Sequence, residues 1–320
     1  NAHALAERYT LMDNFYCDSE HSTQGHNWAT QADANDLFEK TDYTQTLLIG
    51  YDPSIIAQER TIFDHLFDHD VSFRVYGQWV GLAKDWFGDA KYEAFVNNKV
   101  PFFNQSIRDV VKAREVLREI DLGIFPSFVF VALPNDHTSG TRPGSPTPRS
   151  AVADNDLALG QIVEAISNSK FWKETCIFVT EDDPQAGLDH VDGHRTVGLV
   201  ISPYTKRNEV ISTYYSQINM VRTMENILGI PPMNQFDLAA EPMTNCFTNK
   251  PNFAPYKALP SNIRLDEINP SLEGLIGNQL HWAKMSLEQD LDDVDRIEED
   301  TFNRIIWHSV KGYDVPYPVL

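Results

Sequence analysis

Acidic residues stand at the end of a probable core strand in the second half of the chain. A short apolar run with the composition of a buried strand, 177–180, leads directly into the acids Glu181, Asp182 and Asp183. Two histidines follow on a glycine-containing stretch, His190 and His194. In an open α/β sheet, ligands bind at the carboxyl ends of strands, and crowded carboxylates repel one another unless a cation neutralises them. Aspartate with histidine suits a divalent metal, although this segment alone is equally compatible with an acidic surface turn.

A second apolar run ends in the same way and favours the metal site. Residues 128–133 are all apolar, and Asp136 and His137 follow them closely. Carboxyl ends of parallel strands meet at one edge of a sheet, so we expect Asp136 and His137 to lie near the acids after residue 180. Two core strands that both end in metal-ligand residues are hard to attribute to chance.

A hydroxyl nucleophile is available near the amino terminus. Ser22 and Thr23 precede Gly25 and His26 at the start of a probable helix. A helix amino terminus offers free backbone amides and the positive end of the helix dipole, which stabilise an alkoxide and a phosphoryl oxygen. The competing interpretation is that Ser22 or Thr23 only caps the helix.

Helical and strand patterns alternate along most of the chain. Helical spacing at 61–69, 107–120, 159–166 and 218–228 separates apolar runs at 72–76, 128–133, 176–180 and 197–202. Such alternation predicts an α/β fold with a mainly parallel, doubly wound sheet. We expect one domain over 1–250 and a C-terminal extension over 251–320 that packs on it. In the extension, an acidic stretch around 288–300 predicts a surface helix with one apolar face.

The composition excludes several functions. The net charge of the 320 residues is -20, which disfavours binding to nucleic acid or to an anionic membrane surface. No apolar run is long enough for a transmembrane helix. The three cysteines do not form a disulfide framework, although Cys17 and Cys246 could pair.

Several segments, taken together, are similar to one known group of enzymes. They are MDNFYCDSEHSTQGHNW, SFRVYGQWV, ALPNDHTSGTRPGSPTPRSAVADND, FVTEDDPQAGLDHVDGHRT and LVISPYTKR. They resemble the alkaline phosphatase superfamily, in the phosphoesterase branch with acid phosphatase-like and phospholipase C-like proteins. The resemblance covers most of positions 1–235, and the segments occur in family order. It implies a three-layer α/β/α fold with helical insertions, and a metal-dependent phosphoric ester hydrolase acting on a phosphate ester.

The resemblance also implies a role for each candidate residue. The nucleophile falls on Ser22, with Thr23 less favoured. The metal ligands fall on Asp182 and Asp183 at one site, and on Asp136 and His194 at the other. His137 and His190 would bind metal, or touch the phosphate and the leaving group, while His26 would support a ligand. The cofactors would be divalent ions, Zn, Mn, Ca or Mg, and the location periplasmic or extracellular, as is typical of relatives.

One family motif has no counterpart in this chain. The earliest motif, Glu-Asn followed by Thr-Tyr-Asp at the end of the first core strand, supplies a metal ligand, and this sequence starts at a stretch downstream of it. We therefore expect upstream residues in the natural protein that carry a strand ending in an acid or amide. The alternative is a non-catalytic binding or assembly module that retains the phosphoesterase scaffold.

Overall fold

The computed structural model describes residues 1–36, 40, 61–77, 90–100, 104–184, 191–292 and 296–318. Its strands are β1 (Thr10–Met12), β2 (Phe15–Tyr16), β3 (Phe73–Tyr76), β4 (Phe128–Val131), β5 (Ile177–Thr180), β6 (Gly198–Ile201), β7 (Glu209–Ile211) and β8 (Tyr215–Ser216). Its α-helices are α1 (Ala2–Arg8), α2 (Ser22–Gln31), α3 (Ile62–Asp68), α4 (Asp109–Asp121), α5 (Pro148–Asn168), α6 (Gln217–Leu228), α7 (Gln235–Ala239), α8 (Gly277–Glu288) and α9 (Glu299–Lys311). Strands and helices alternate, so the chain has an α/β fold, as predicted.

Local signals define the ends of the long helices. α5 begins at Pro148, whose missing N–H needs no partner in a first turn, and the Thr147 side chain accepts a hydrogen bond from Ser150 N. α6 ends at Gly229, which adopts a left-handed conformation with φ of 73°. With these ends, both helices include the ranges over which the apolar spacing predicts a helix.

The strands form a mixed set of sheets. The largest sheet has the order β5-β6-β1-β7, in which β6 is antiparallel to both neighbours and β1 and β7 are parallel. β3 pairs with β4, and β2 pairs with β8, both in parallel. Among the described strands, β6 is the exception to the predicted mainly parallel arrangement, because it pairs directly back on β5 with Gly198 opposite Thr180. Two antiparallel strands can be neighbours without a helix between them. The alternation of helices and strands in the sequence therefore does not reveal that β6 pairs antiparallel with β5.

Helices cover both faces of the largest sheet. From β6, Leu199 and Ile201 join an apolar cluster that includes residues of α4 and α5. Val200 points the other way and joins a cluster that includes Met220 of α6. Successive strand residues face opposite sides, and all four residues of β6 are buried. Because β5 pairs with the buried strand β6, this packing fixes the position of the carboxyl end of β5.

The C-terminal region contains two helices, α8 and α9, but not at the predicted place. Within the acidic stretch 288–300, the described residues 289–292 and 296–298 lie between the two helices and are not helical, contrary to the prediction from the partial apolar stripe. Its charges are nearly all of one sign, which disfavours a helix, whereas α9 buries Phe302 and Ile305. Residues 251–320 therefore contain helices, at positions other than the one that the apolar stripe predicts.

Two further expectations have direct outcomes. Cys17, Cys176 and Cys246 are free thiols, so the pairing considered for Cys17 and Cys246 is not present. No helix in the described part of the chain is long and apolar enough to cross a membrane.

Candidate active site

The start of α2 places a serine hydroxyl against the acids that follow β5. His21 precedes the helix in an extended conformation, and Ser22 is its first residue. The Ser22 Oγ donates a hydrogen bond to Asp183 Oδ2 at 2.5 Å. Ser22 is half-buried, while Thr23 is buried in the first turn of the helix. The geometry thus brings the first of the two candidate nucleophiles, Ser22, into contact with a predicted metal ligand.

Side chains from two other elements hold the acid segment in place. Gln217, at the start of α6, donates through Nε2 to the carbonyl oxygens of Glu181 and Asp182 at 3.0 and 2.7 Å. Ser19 Oγ donates to the same Asp182 oxygen at 3.4 Å, and Gly25 of α2 packs against this backbone. The carboxyl end of β5 is therefore fixed by α2 and α6 together.

The two neighbouring aspartates have different partners. Asp182 Oδ2 lies 3.3 Å from His26 Nε2. Burial alone would raise the pKa of Asp182, but the hydrogen bond and charge of His26 lower it below its ordinary value. The contact with His26 therefore favours the carboxylate form of Asp182.

Asp136 lies within electrostatic reach of the same acids. It belongs to a 3-10 turn, Pro134–His137, that follows β4. The Asp136 side chain is exposed at the surface. Its pKa is nevertheless raised well above the ordinary value, first by partial loss of solvation and then by the charges of Glu181, Asp109 and Asp182. Like charges that crowd one another in this way are stabilised by a bound cation. The ends of β4 and β5 thus face a shared acidic region.

A buried polar network fixes the turn that carries Asp136. Asn135 N donates to Asp109 Oδ2 at 2.9 Å, and Asn135 Nδ2 donates to Asp154 Oδ2 at 2.9 Å. Lys112 Nζ lies 3.0 Å from Asp109 Oδ1, and both side chains are fully buried. Because α4 and α5 supply these groups, the two helices set the position of Asp136.

The histidines lie around this region at different places. His194 Nδ1 is 3.0 Å from Asp192 Oδ1, and its Nε2 is 3.6 Å from Glu20 Oε1. The His194 carbonyl accepts a hydrogen bond from Cys17 N at 2.9 Å. His194 therefore lies beside the segment that leads into α2, and its imidazole contacts Asp192 and Glu20.

His137 lies on the side of the C-terminal helices. Its Nδ1 is 3.2 Å from Gln105 Nε2, and its ring lies 5.8 Å from that of Phe302 in α9. Near this contact, His21 Nδ1 lies 3.4 Å from Glu299 Oε1 at the start of α9. The other predicted histidine, His190, lies outside the described residues.

The oxygen atoms present suit a hard divalent cation. Carboxylate oxygens of Asp136, Asp182 and Asp183, with the Ser22 hydroxyl, are the donor types that Mg²⁺, Ca²⁺ and Mn²⁺ prefer. In the described part of the chain, no three His, Cys, Asp or Glu side chains are arranged so that they could hold one metal ion. The chemistry of the donors fits a metal, and the ligand set remains a prediction.

Some residues that build the site carry no recognisable signal in the sequence. Gln217 begins an ordinary amphipathic helix, and only the fold brings it to Asp182. Lys112 gave a weak signal, because a lysine in the apolar face of a predicted helix needs a buried partner. Its partner, Asp109, stands three residues earlier and could have been inferred from that spacing.

Comparison with known proteins assigns the chain to a family. Residues 2–231 match the model described as the Phosphoesterase family. The match spans most of the chain and includes α2, β4, β5 and the acids after them. No curated protein matches the chain. The family supports phosphoric ester hydrolysis as the activity and a phosphate ester as the substrate. The chain thus belongs to the phosphoesterase family.

Proposed function

We propose that this chain is a metal-dependent phosphoester hydrolase with Ser22 as its nucleophile. The observation that carries the proposal is the hydrogen bond from Ser22 Oγ to Asp183 Oδ2 at 2.5 Å, at the first residue of α2. The hydrogen bond points the hydroxyl at a base, and the helix amino terminus favours negative charge on the attacking oxygen and on the phosphate. A residue that only capped α2 would turn its oxygen to the backbone amides of the first turn.

The first half of the reaction forms a phosphoserine. Ser22 Oγ attacks phosphorus, its proton passes to Asp183 Oδ2, and the bond from phosphorus to the alcohol oxygen breaks. The leaving alkoxide takes a proton from a histidine, His137 or His190. The products of this half-reaction are the free alcohol and the phosphorylated enzyme.

The second half releases phosphate. Water attacks phosphorus while the histidine that has lost its proton takes one from the water. The bond between Ser22 Oγ and phosphorus breaks, and the proton on Asp183 returns to Ser22. Each group ends in its starting protonation state.

A divalent cation would be held by Asp136, Asp182, Asp183 and His194. When bound, it supplies positive charge to the phosphate oxygens and lowers the pKa of the attacking hydroxyl. The crowding of acids around Asp136 supports this assignment, because a protein with a net charge of -20 would otherwise repel a phosphate ester.

The finer classification is part of the same proposal. We place the chain in the alkaline phosphatase-like branch with a three-layer α/β/α fold, on the motifs quoted above and on the helices found on both faces of the largest sheet. An exported location and an upstream strand remain expectations from the resemblance.

Turnover of 4-nitrophenyl phosphate, measured with and without added divalent metal, tests the function. The metal-loaded protein should hydrolyse it, a chelator should abolish turnover, and Ser22→Ala should lose at least about a thousandfold in kcat. Ser72→Ala is the control, since Ser72 is an exposed serine just before β3, at the opposite end of that strand pair from Asp136. Bound metal without turnover by the wild type would instead favour the non-catalytic scaffold.

A further inference from the structure

Two tyrosines form an exposed stack beside the candidate active site. The rings of Tyr16 and Tyr214 lie 5.2 Å apart between centroids and are inclined by 27°. In the pairing of β2 with β8, Phe15 is opposite Tyr215 and Tyr16 is opposite Ser216. Phe15 and Tyr215 are buried, whereas Tyr214 is 62% exposed, so the stack faces solvent.

The stack lies at the same end of the fold as the acids. Cys17, directly after Tyr16, donates from N to the carbonyl of His194, and its Sγ donates to the carbonyl of Glu181. Gln217, three residues after Tyr214, bonds the backbone of Glu181 and Asp182. Tyr16 is therefore adjacent in sequence to a residue that contacts Glu181, and Tyr214 is three residues from another.

The charge around the stack is negative. Two segments lie around Tyr16, residues 14–20 and 191–196. They contain three acids, Asp18, Glu20 and Asp192, and one arginine, Arg195. The pKa of the Tyr214 hydroxyl is raised, first by burial and then by Asp18, Tyr16 and Asp192. The carboxylates of Asp18 and Asp192 therefore act on the polar end of the Tyr214 ring. A second anionic group on the alcohol part of a substrate would be repelled here.

We infer that the Tyr16–Tyr214 stack is a subsite for the alcohol portion of the substrate, and that it selects phosphate monoesters of uncharged aromatic alcohols. The inference rests on the proposed function. The exposed face of Tyr214 provides a flat apolar surface on which an aromatic ring stacks. Tyr16 supports that ring from behind, and its own hydroxyl donates to Asn14 Oδ1 at 2.8 Å, which holds it in place.

Turnover and binding test this subsite with two matched pairs of probes. Turnover compares phenyl phosphate with glycerol 3-phosphate, and calorimetric binding compares phenylphosphonate with methylphosphonate, which are not hydrolysed. For Tyr214→Ala, KM for phenyl phosphate and Kd for phenylphosphonate should rise about tenfold, as expected for loss of one stacking partner. Values for the two non-aromatic probes should stay unchanged, and Tyr214→Phe should keep the wild-type preference.

Tyr204→Ala is the matched control. Tyr204 is also an exposed tyrosine, at 38%, and packs edge-on against Phe253. It follows β6, which runs antiparallel to β5, so it lies at the opposite end of the sheet from Asp182. This variant should keep the aromatic preference in both assays.

The outcomes separate the subsite from the proposed function. Aromatic preference in binding without turnover of any ester would contradict the function and support the subsite. Turnover without aromatic preference, or an equal loss for both kinds of probe in Tyr214→Ala, would overturn the subsite and leave the function. Neither binding nor turnover in the metal-loaded wild type would overturn both.

Discussion

Gly25 of α2 faces the backbone of Asp182 so closely that a Cβ at position 25 would lie 1.9 Å from the Asp182 carbonyl oxygen. Real Cβ atoms do not approach a backbone oxygen to this distance, so only glycine allows the contact. The contact sets how near the start of α2, with Ser22, comes to the end of β5. Because residue 25 has no side chain, α2 can approach β5 closely enough for Ser22 to contact the acids.

Gly25→Ala should therefore impair activity strongly. The added methyl group must push α2 away from β5, which lengthens the Ser22–Asp183 contact and costs about 1–3 kcal/mol of stability through overpacking. We expect kcat to fall by about a hundredfold or more, measured with 4-nitrophenyl phosphate beside thermal unfolding. Gly193→Ala is the control, because a Cβ there meets no atom of the described residues within 4 Å. Full activity of Gly25→Ala would show that the close approach is not needed.

The buried pair Lys112 and Asp109 should be essential for stability and for the Asp136 turn. Lys112→Met leaves the Asp109 carboxylate buried without its cation, which costs about 3–5 kcal/mol. Asp109 also accepts a hydrogen bond from Asn135 N, next to Asp136. Loss of Lys112 should therefore disturb the turn that carries Asp136 and weaken the binding of divalent metal. Urea unfolding and metal titration measure the two effects.

Lys99→Met is the matched control for that variant. Lys99 pairs with Glu115 at 3.4 Å, and its side chain is 66% exposed. Loss of a surface pair of this kind costs about 1 kcal/mol or less. Equal destabilisation by the two variants would contradict the assigned role of the buried pair.

The buried acid pair Glu225 and Asp237 should make stability depend on pH. Burial first, and then the hydrogen bond and charge of Asp237, raise the pKa of Glu225 from 4.5 to about 8, against the opposing effect of Arg222. The folded state therefore holds a proton that the unfolded state releases between these values. Stability should fall as pH rises from about 4.5 through 8, by at most about 1.4 kcal/mol per pH unit.

Glu225→Gln should flatten this pH dependence, since glutamine does not titrate. The free energy of unfolding, measured in urea from pH 5 to pH 9, gives the slope for each variant. Glu273→Gln, at an exposed position, should leave the slope unchanged. An unaltered slope in Glu225→Gln would mean that another group is responsible.

The sequence predicted the elements whose signal is local. Apolar runs located β4 and β5 to within two residues, and helical spacing with Gly229 located the end of α6. Ser22 was expected at the start of a helix, and it is the first residue of α2. These features depend on neighbours within a few positions along the chain.

The remaining features depend on contacts that no local pattern contains. The antiparallel return of β6 and the contact of Gly25 with Asp182 join segments far apart in sequence. Gln217 looks like any polar residue at a helix start until α6 is placed beside β5. In the extension, acidic residues with a partial apolar stripe predicted a helix around 288–300, whereas the described residues 289–292 and 296–298 lie between α8 and α9. Like charges along that stretch disfavour a helix.

The most direct measurement is mass spectrometry of the enzyme trapped during turnover. Metal-loaded protein is mixed with phenyl phosphate, quenched in acid and digested, and the peptide containing Ser22 and Thr23 is fragmented. The account predicts added phosphate on Ser22 in the wild type and none in Ser22→Ala. Phosphate on Thr23 or on a histidine, or rapid turnover with no phosphopeptide at any quench time, would contradict Ser22 as the nucleophile.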